Sequence, residues 1–224
     1  MTKSEYTIIE SYMTAQMQDS AHDKHHVYRV LNAALDIASH ETADMDVLIA
    51  ACLLHDIGRQ QQFDNPQLCH AKVGGTMAYE FLLDQGWPES KAQDVRECIA
   101  AHRFRSDSPP QSIEAKILFD ADKLEASGLI GIARTLIYEG QVAEPLYILD
   151  GDGKIVIDGG GADISSFFQE YNFKLKNVYQ AFYTARAKEI AAQRQQAAVD
   201  FYENLYAELS QNYASDVSAY LRPE

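Results

Sequence analysis

An all-α fold with one small β-hairpin near residues 146–157 is what this 224-residue chain predicts, and three observations predict it. Apolar residues recur at three- and four-residue spacing along most of its length, the mark of helices with one buried stripe. One run, Val47-Leu48-Ile49-Ala50-Ala51-Cys52-Leu53-Leu54, is apolar throughout and reads as a buried segment that closes on His55-Asp56-Ile57-Gly58-Arg59. The pattern changes after Glu139, where Leu146-Tyr147-Ile148-Leu149 and Lys154-Ile155-Val156-Ile157 flank Asp150-Gly151-Asp152-Gly153, two short β-type runs about a turn.

Taken in order, residues 4 to 18 place Ile8, Ile9, Tyr12, Met13 and Met17 near the helical period, giving a first amphipathic helix. His22-Asp23-Lys24-His25-His26 opens the second, whose Val27, Val30, Leu31, Ala34 and Ala38 share one face. His22, His26 and Arg29 lie on roughly one side of that helix, and His25 points about 100° away. Asp44 and Asp46 suit the N-cap of the apolar helix and Gly58 its stop. The polar stretch from Arg59 to Leu68, with Asn65-Pro66, reads as a loop. His70 begins a helix marked by Val73, Met77 and Phe81, and Gly74-Gly75 within it implies close approach by another backbone or by a ligand.

Pro88 fits the first turn of the next helix, in which Val95, Cys98, Ile99 and His102 share a face. Pro109-Pro110 ends any helical run. A further helix carries Ile113, Ile117, Leu118, Ala121 and Leu124 and delivers Asp120 and Asp122; its period does not say which of the two faces inward. Asp150-Gly-Asp-Gly lacks the order of acidic positions and the closing glutamate of a calcium loop, so a plain turn is expected. Ser166 with Gln169 fits a capping box ahead of Phe167, Phe168, Tyr171, Leu175 and Val178. A last helix of about residues 184 to 210 turns Ile190, Ala197, Phe201, Leu205 and Leu209 inward. With no repeat, low-complexity tract or linker, residues 1–224 read as a single domain.

A formal charge of −14 argues against a broad surface for duplex nucleic acid or anionic lipid, both of which need clustered Lys and Arg. It leaves room for an anionic substrate in a small cleft. Cys52, Cys69 and Cys98 are an odd number with no Cys-x-x-Cys spacing, which fits reduced thiols. The start of the chain has no signal-peptide pattern, and no apolar run reaches the roughly 18 residues of a membrane span. A cytoplasmic protein is therefore expected.

The chemistry lies in a set of side chains that separate helices bring to apolar surroundings: His26, then His55-Asp56, then His70 and His102, then Asp122. Buried ionisable groups need a partner, and imidazole with carboxylate offers the donors that divalent cations take. Any one of them alone reads equally as a hydrogen-bonded core group. Their order resembles the HD-domain superfamily of metal-dependent phosphohydrolases, through Asp23-x-x-His26-x-x-Arg29-Val30, His55-Asp56-Ile57-Gly58-Arg59 and Ala121-Asp122-Lys123-Leu124. The likeness covers about residues 20–137 and includes Gly131-Ile132-Ala133-Arg134. In the helical extension of about 165–212, Thr184-x-x-Ala187-Lys188-x-Ile190-Ala191-x-x-Arg194 is similar to the C-terminal helix of a bacterial subgroup of small stand-alone members.

The resemblance implies that His26, His55, Asp56 and Asp122 bind a divalent metal (Mn, Mg, Fe, Ni or Zn), and it selects Asp122 over Asp120. It implies for His70 and His102 a second metal, a substrate phosphate or a structural place. Such a metal lowers the pKa of bound water and polarises a phosphoryl oxygen. Asp56 can then orient or deprotonate that water. Arg59, Lys123, Lys72 and Arg134 are the cations to look for near the phosphate. The expected activity is hydrolysis of a small phosphorylated substrate, a nucleotide first among them, in a protein that can oligomerise. An HD-type di-iron oxygenase using all six ligands, or a non-catalytic metal or nucleotide sensor, are the alternatives.

Overall fold

The apolar run 47–54 becomes the middle of the fold because it has no polar face to turn outward. In the computed structural model, which describes residues 1–16, 24–103, 109–159, 166–212 and 220–221, it lies within helix α3 (Met45–Leu54). Around it come α1 (Lys3–Gln16), α2 (Lys24–Ala38), α4 (Arg59–Asp64), α5 (His70–Asp84), α6 (Glu89–Ala101) and α7 (Ile113–Leu124). Then follow α8 (Gly128–Gln141), α9 (Phe167–Phe173), a 3₁₀ helix (Leu175–Gln180) and α10 (Ala185–Asn212). Met17, His22 and Asp23 lie outside the described residues. Among the described residues no helix is long and apolar enough to cross a membrane.

The chain forms two compact units, Met1–Glu125 with Phe182–Ile190, and Ala126–Ala181 with Ala191–Glu224. In the first, α3 packs against α1, α2, α5, α6 and α7. Leu48, Leu53 and Leu54 are fully buried, each contributing roughly 1.5–3 kcal/mol relative to exposure. Asp44 caps α3, its Oδ1 accepting from Asp46 N and Val47 N at 2.9 and 3.3 Å. Asp46 pairs instead with Lys91 at 2.9 Å and with the N-terminal amine.

Gly58 does not stop α3 through a left-handed turn. Its φ of −86° suits any residue. A Cβ there would stand 2.3 Å from His70 O and 2.6 Å from Gly74 N, so a glycine is needed for contact between backbones. On α5, a Cβ at Gly75 would stand 2.9 Å from Arg96 O of α6. The close approach expected at Gly74-Gly75 is thus made by backbone on two sides, and it seats the His55-Asp56 turn on the start of α5.

The stretch read as a loop from Arg59 holds α4 for its first six residues. Arg and Gln are good helix formers, but α4 buries none of its residues, so it prints no apolar stripe in the sequence. Asp120 is fully buried and accepts from Tyr183 N, Thr184 N and Thr184 Oγ1, the last two at 2.7 Å, which anchors the segment entering α10. Arg186 adds a two-point ion pair to Asp36 of α2, both contacts at 3.0 Å.

The second unit has an aromatic core of Phe167, Phe168, Tyr171, Ile132 and Leu175 with Ala198, and Tyr171 stacks on Tyr202 at 4.2 Å. The expected hairpin is not formed. Among the described residues there is no strand; one antiparallel bridge, Leu149 to Ile155, closes the turn. Val156 N donates to Ile148 O and Asp150 N to Lys154 O, and pairing goes no further, since two short runs with no third strand beside them have too little surface to hold a ladder. Asp150 Oδ1 is spent on Asp152 N and Lys154 N of its own turn. Ser166 is the N-cap of α9, yet its hydroxyl donates to Gln169 Oε1 instead of accepting a backbone N–H, because the Gln169 amide is drawn to Asp158 O. On α10, Ala197 is exposed and Ala198 is buried, one residue out of the expected phase.

Candidate metal centre

Every donor that the sequence singled out for a metal comes from the first unit, and the structure brings all six together. His26 stands in the first turn of α2, His55 and Asp56 in the turn after α3, His70 at the start of α5, His102 at the C-cap of α6, and Asp122 in the last turn of α7. His26, His55, Asp56, His70 and His102 are at most 3% exposed. That burial decides the chemistry, because none of these groups can be satisfied by bulk water.

Asp56 is the hub. Its Oδ2 lies 3.6 Å from both His26 Nε2 and His55 Nε2. Its Oδ1 lies 3.5 Å from His70 Nε2 and 3.6 Å from His102 Nε2. Within each pair the facing Nε2 atoms are 3.3 Å apart. Asp122 Oδ1 joins the first pair at 3.4 Å from His26 Nε2 and 3.9 Å from His55 Nε2. Two donor groups result, His26-His55-Asp56 and Asp56-His70-His102, sharing one carboxylate.

The carboxylate–imidazole spacings of 3.4–3.9 Å are long for hydrogen bonds and a little wider than those between ligands of one bound ion. Ligands about 2.1 Å from one cation stand roughly 3.0–3.4 Å apart at octahedral or tetrahedral angles. Arg59 Nε sits 3.0 Å from Asp56 Oδ1, close enough for an ion pair but not aligned as a hydrogen bond. Both Asp56 oxygens are consequently buried without a hydrogen-bond partner among the described residues. A buried carboxylate in that condition costs several kcal/mol unless a cation meets it. The residues present fit a divalent metal.

The far side of each imidazole is also spoken for. Nδ1–H of His55 donates to Cys52 O at 2.8 Å and that of His102 to Ile99 O at 2.6 Å. His70 Nδ1 meets Gln62 Oε1 at 2.5 Å, and His26 Nδ1 meets Glu125 Oε2 at 3.2 Å. With Nδ1 holding the proton, the Nε2 atoms of His55, His70 and His102 turn a lone pair inward, and that of His26 would do so once a cation displaces its second proton. Burial pushes the His55 pKa down to about 4, and burial with the Arg59 charge pushes His70 down to about 2. For His26 burial acts downward too, but Asp122, Asp56 and Glu125 outweigh it and hold the pKa at about 10. Facing imidazoles 3.3 Å apart cannot both be charged; the proton of that pair belongs to the ring with more carboxylates around it. Asp56 and Asp122 titrate well below the usual carboxylate range, the surrounding cations and imidazoles overcoming the burial penalty.

The other residues named from sequence are more dispersed. Lys123 holds its ammonium over the Phe119 ring at 4.9 Å. Lys72 is exposed on α5, and Arg134 belongs to α8 in the second unit. Sequence reasoning missed Gln62, hidden in the helix read as a loop. It missed Glu125, which stands three residues after Asp122 and so on its face of α7. It also missed Arg103, next to His102, whose charge acts with that of Arg59 on His70.

Comparison with known proteins points to one family. The HD domain family model matches residues 24–127. YpgQ of Bacillus subtilis is 30% identical over 203 residues, 89% of each chain. A crystal structure of YpgQ in complex with ADP superposes with a TM-score of 0.71 at 26% identity, covering 91% of this chain and 97% of that one. The structure of a "predicted HD superfamily hydrolase" from an uncultured Thermotogales bacterium gives a TM-score of 0.60 at 28% identity, covering 92% of both.

Proposed function

Because the chain belongs to the HD-domain superfamily, we propose that it is a metal-dependent phosphohydrolase acting on a nucleotide, or on another small phosphate ester or pyrophosphate. The observation that carries this reading is Asp56, a buried carboxylate without a hydrogen-bond partner among the described residues, with two imidazole pairs facing its two oxygens. His26, His55, Asp56 and Asp122 would hold one divalent cation. Asp56, His70 and His102 would hold a second: with Nδ1 donating to Gln62 and to Ile99 O, the inward Nε2 atoms offer lone pairs, which repel a phosphate oxygen and attract a cation. Two imidazoles in each group favour Mn, Fe, Ni or Zn over Mg.

Cations held there supply Lewis acidity, lowering the pKa of a water and polarising a phosphoryl oxygen. Asp56 Oδ2 would serve the first group; where only that group is filled, Oδ1 would be left to orient the attacking water and take its proton. Arg59, with Arg103, would grip the phosphate oxygens, arginine being able to meet two at once. The ADP complex of YpgQ supports a nucleotide as the substrate class.

The test joins metal analysis of the purified protein to a phosphate-release screen over nucleoside mono-, di- and triphosphates and sugar phosphates with each divalent ion added. Metal-dependent release that disappears in His55→Ala and Asp56→Ala is the expected result. Full activity in both variants would overturn the reading. The six-ligand arrangement also suits a di-iron oxygenase, which would reveal itself by oxygen consumption with iron bound and no phosphate released.

A further inference from the structure

His26 differs from the other three imidazoles in what stands behind it. His55 and His102 lean on backbone carbonyls and His70 on a neutral amide, whereas His26 leans on a carboxylate that is itself gripped. Glu125 Oε2 lies 3.2 Å from His26 Nδ1 and 2.8 Å from both Nε and Nη2 of Arg29. His26 and Arg29 are three residues apart on α2, as Asp122 and Glu125 are at the end of α7, so the four side chains meet as two i,i+3 pairs across one helix contact. Asp122 approaches the inner nitrogen of His26 and Glu125 the outer one.

We propose that Glu125, held in place by Arg29, is a positioning residue that fixes the His26 ring with its proton on Nδ1 and its Nε2 turned to the metal. This rests on the reading that His26 is a metal ligand. The other candidate rings are fixed by main-chain atoms or an amide of their own helix or a neighbouring one, which no charge reinforces. His26 enters from α2, near the start of that helix, and Glu125 at the end of α7 reaches the ring nitrogen behind it. A carboxylate in that place raises the donor strength of the ring as well as setting its tautomer. Arg29 neutralises Glu125, which is 5% exposed, and leaves its Oε2 aimed at the imidazole.

Two measurements on the intact protein test this. One is the dissociation constant for Mn²⁺ by calorimetric titration of the metal-free protein; the other is the ¹⁵N NMR signature of the His26 ring in the Zn²⁺-loaded protein, which reports which nitrogen holds the proton. Glu125→Ala should weaken the tightest Mn²⁺ site by roughly 10- to 100-fold and shift the His26 proton away from pure Nδ1, while the other histidines keep their signatures. Glu125→Gln, which keeps an acceptor oxygen but no charge, should preserve the tautomer and lose less affinity, and it stands in if Glu125→Ala fails to fold. Arg29→Ala should give a loss smaller than that of Glu125→Ala. An unchanged dissociation constant and an unchanged His26 signature in the Glu125 variants would overturn the proposal. His26→Ala separates the two levels: if it leaves Mn²⁺ affinity intact, the ligand assignment itself has failed, whereas if it abolishes binding and Glu125→Ala does nothing, only the positioning role has.

Discussion

Asp56 in the first unit and Glu139 in the second are both buried carboxylates whose two oxygens lack a hydrogen-bond partner among the described residues, and they behave in opposite ways. Asp56 has four imidazoles and Arg59 about it and titrates far below its ordinary value. Glu139 is pushed up to about 7, first by burial and then by the carboxylates of Glu144 and Glu170, which the Lys174 ammonium only partly offsets. Burial sets the size of the penalty in both places. The neighbours decide whether the charge is kept, and only convergent donors turn a buried charge into a candidate site.

The comparison breaks most visibly if Asp56 proves dispensable. Asp56→Asn should lower hydrolysis on the order of 10³-fold or more and remove metal from both groups, while circular dichroism keeps its helical signal. Glu139→Gln should leave metal content and turnover as they are. Equal effects of the two substitutions would mean that the hub arrangement of the first unit has no bearing on chemistry.

The comparison sharpens within the first unit by taking its two groups apart. His102→Ala removes a ligand from the second group only, so bound Mn²⁺ at saturation should fall from two per chain to one, with the remaining site close to its original affinity. His55→Ala should strike the first group in the same selective way. A stoichiometry of one in the unaltered protein would confine metal binding to His26, His55, Asp56 and Asp122.

A third substitution tests how the hub is held. Gly58→Ala places a Cβ against His70 O and Gly74 N, both main-chain atoms that cannot swing aside. The strain is roughly 1–3 kcal/mol, which for a chain of this length lowers the melting temperature by about 2–4 °C per kcal/mol. Because the displaced turn carries His55-Asp56 and the displaced partner is His70, affinity of the second group should fall as well. Unchanged melting with unchanged metal binding would show that the turn and α5 are free to separate.

Much of this was legible in the sequence, and the gaps have physical causes. Helices with a buried stripe announce themselves, as α2 and α7 do; α4 has no stripe because it buries nothing. The run around Asp150 carries β-type residues, but strand formation depends on a neighbouring strand, and none is found among the described residues. Five donors could be named from their residue types and their helical setting, and the family resemblance selected the sixth, Asp122. Asp120 and Asp122 could not be told apart by period, since both lie near buried positions; tertiary partners separate them, Tyr183 and Thr184 claiming the first and His26 facing the second. The acceptors behind His55 and His102 are main-chain carbonyls, which leave no trace in a sequence. Glu125 did leave one, its i,i+3 spacing from Asp122 matching that of Arg29 from His26.

The smallest effect returns to Glu139. Its folded pKa of about 7 lies above the ordinary glutamate value near 4.5 that applies when the chain is unfolded. Below pH 4.5 both states are protonated and the residue costs nothing. Between about 4.5 and 7 the unfolded chain ionises while the folded one resists, so stability is lost as pH rises through that window, and above it the loss is complete. Allowing for relaxation around the charge, the loss is on the order of 2 kcal/mol. Glu139→Gln removes the titration, so its melting temperature should match that of the unaltered protein at pH 4.5 and exceed it by about 4–8 °C at pH 8. The difference between the two proteins is what to measure, because every other titrating group is common to both. A difference that does not change with pH would mean that Glu139 is ionised throughout, with a cation or water supplying in the second unit what the histidines face in the first.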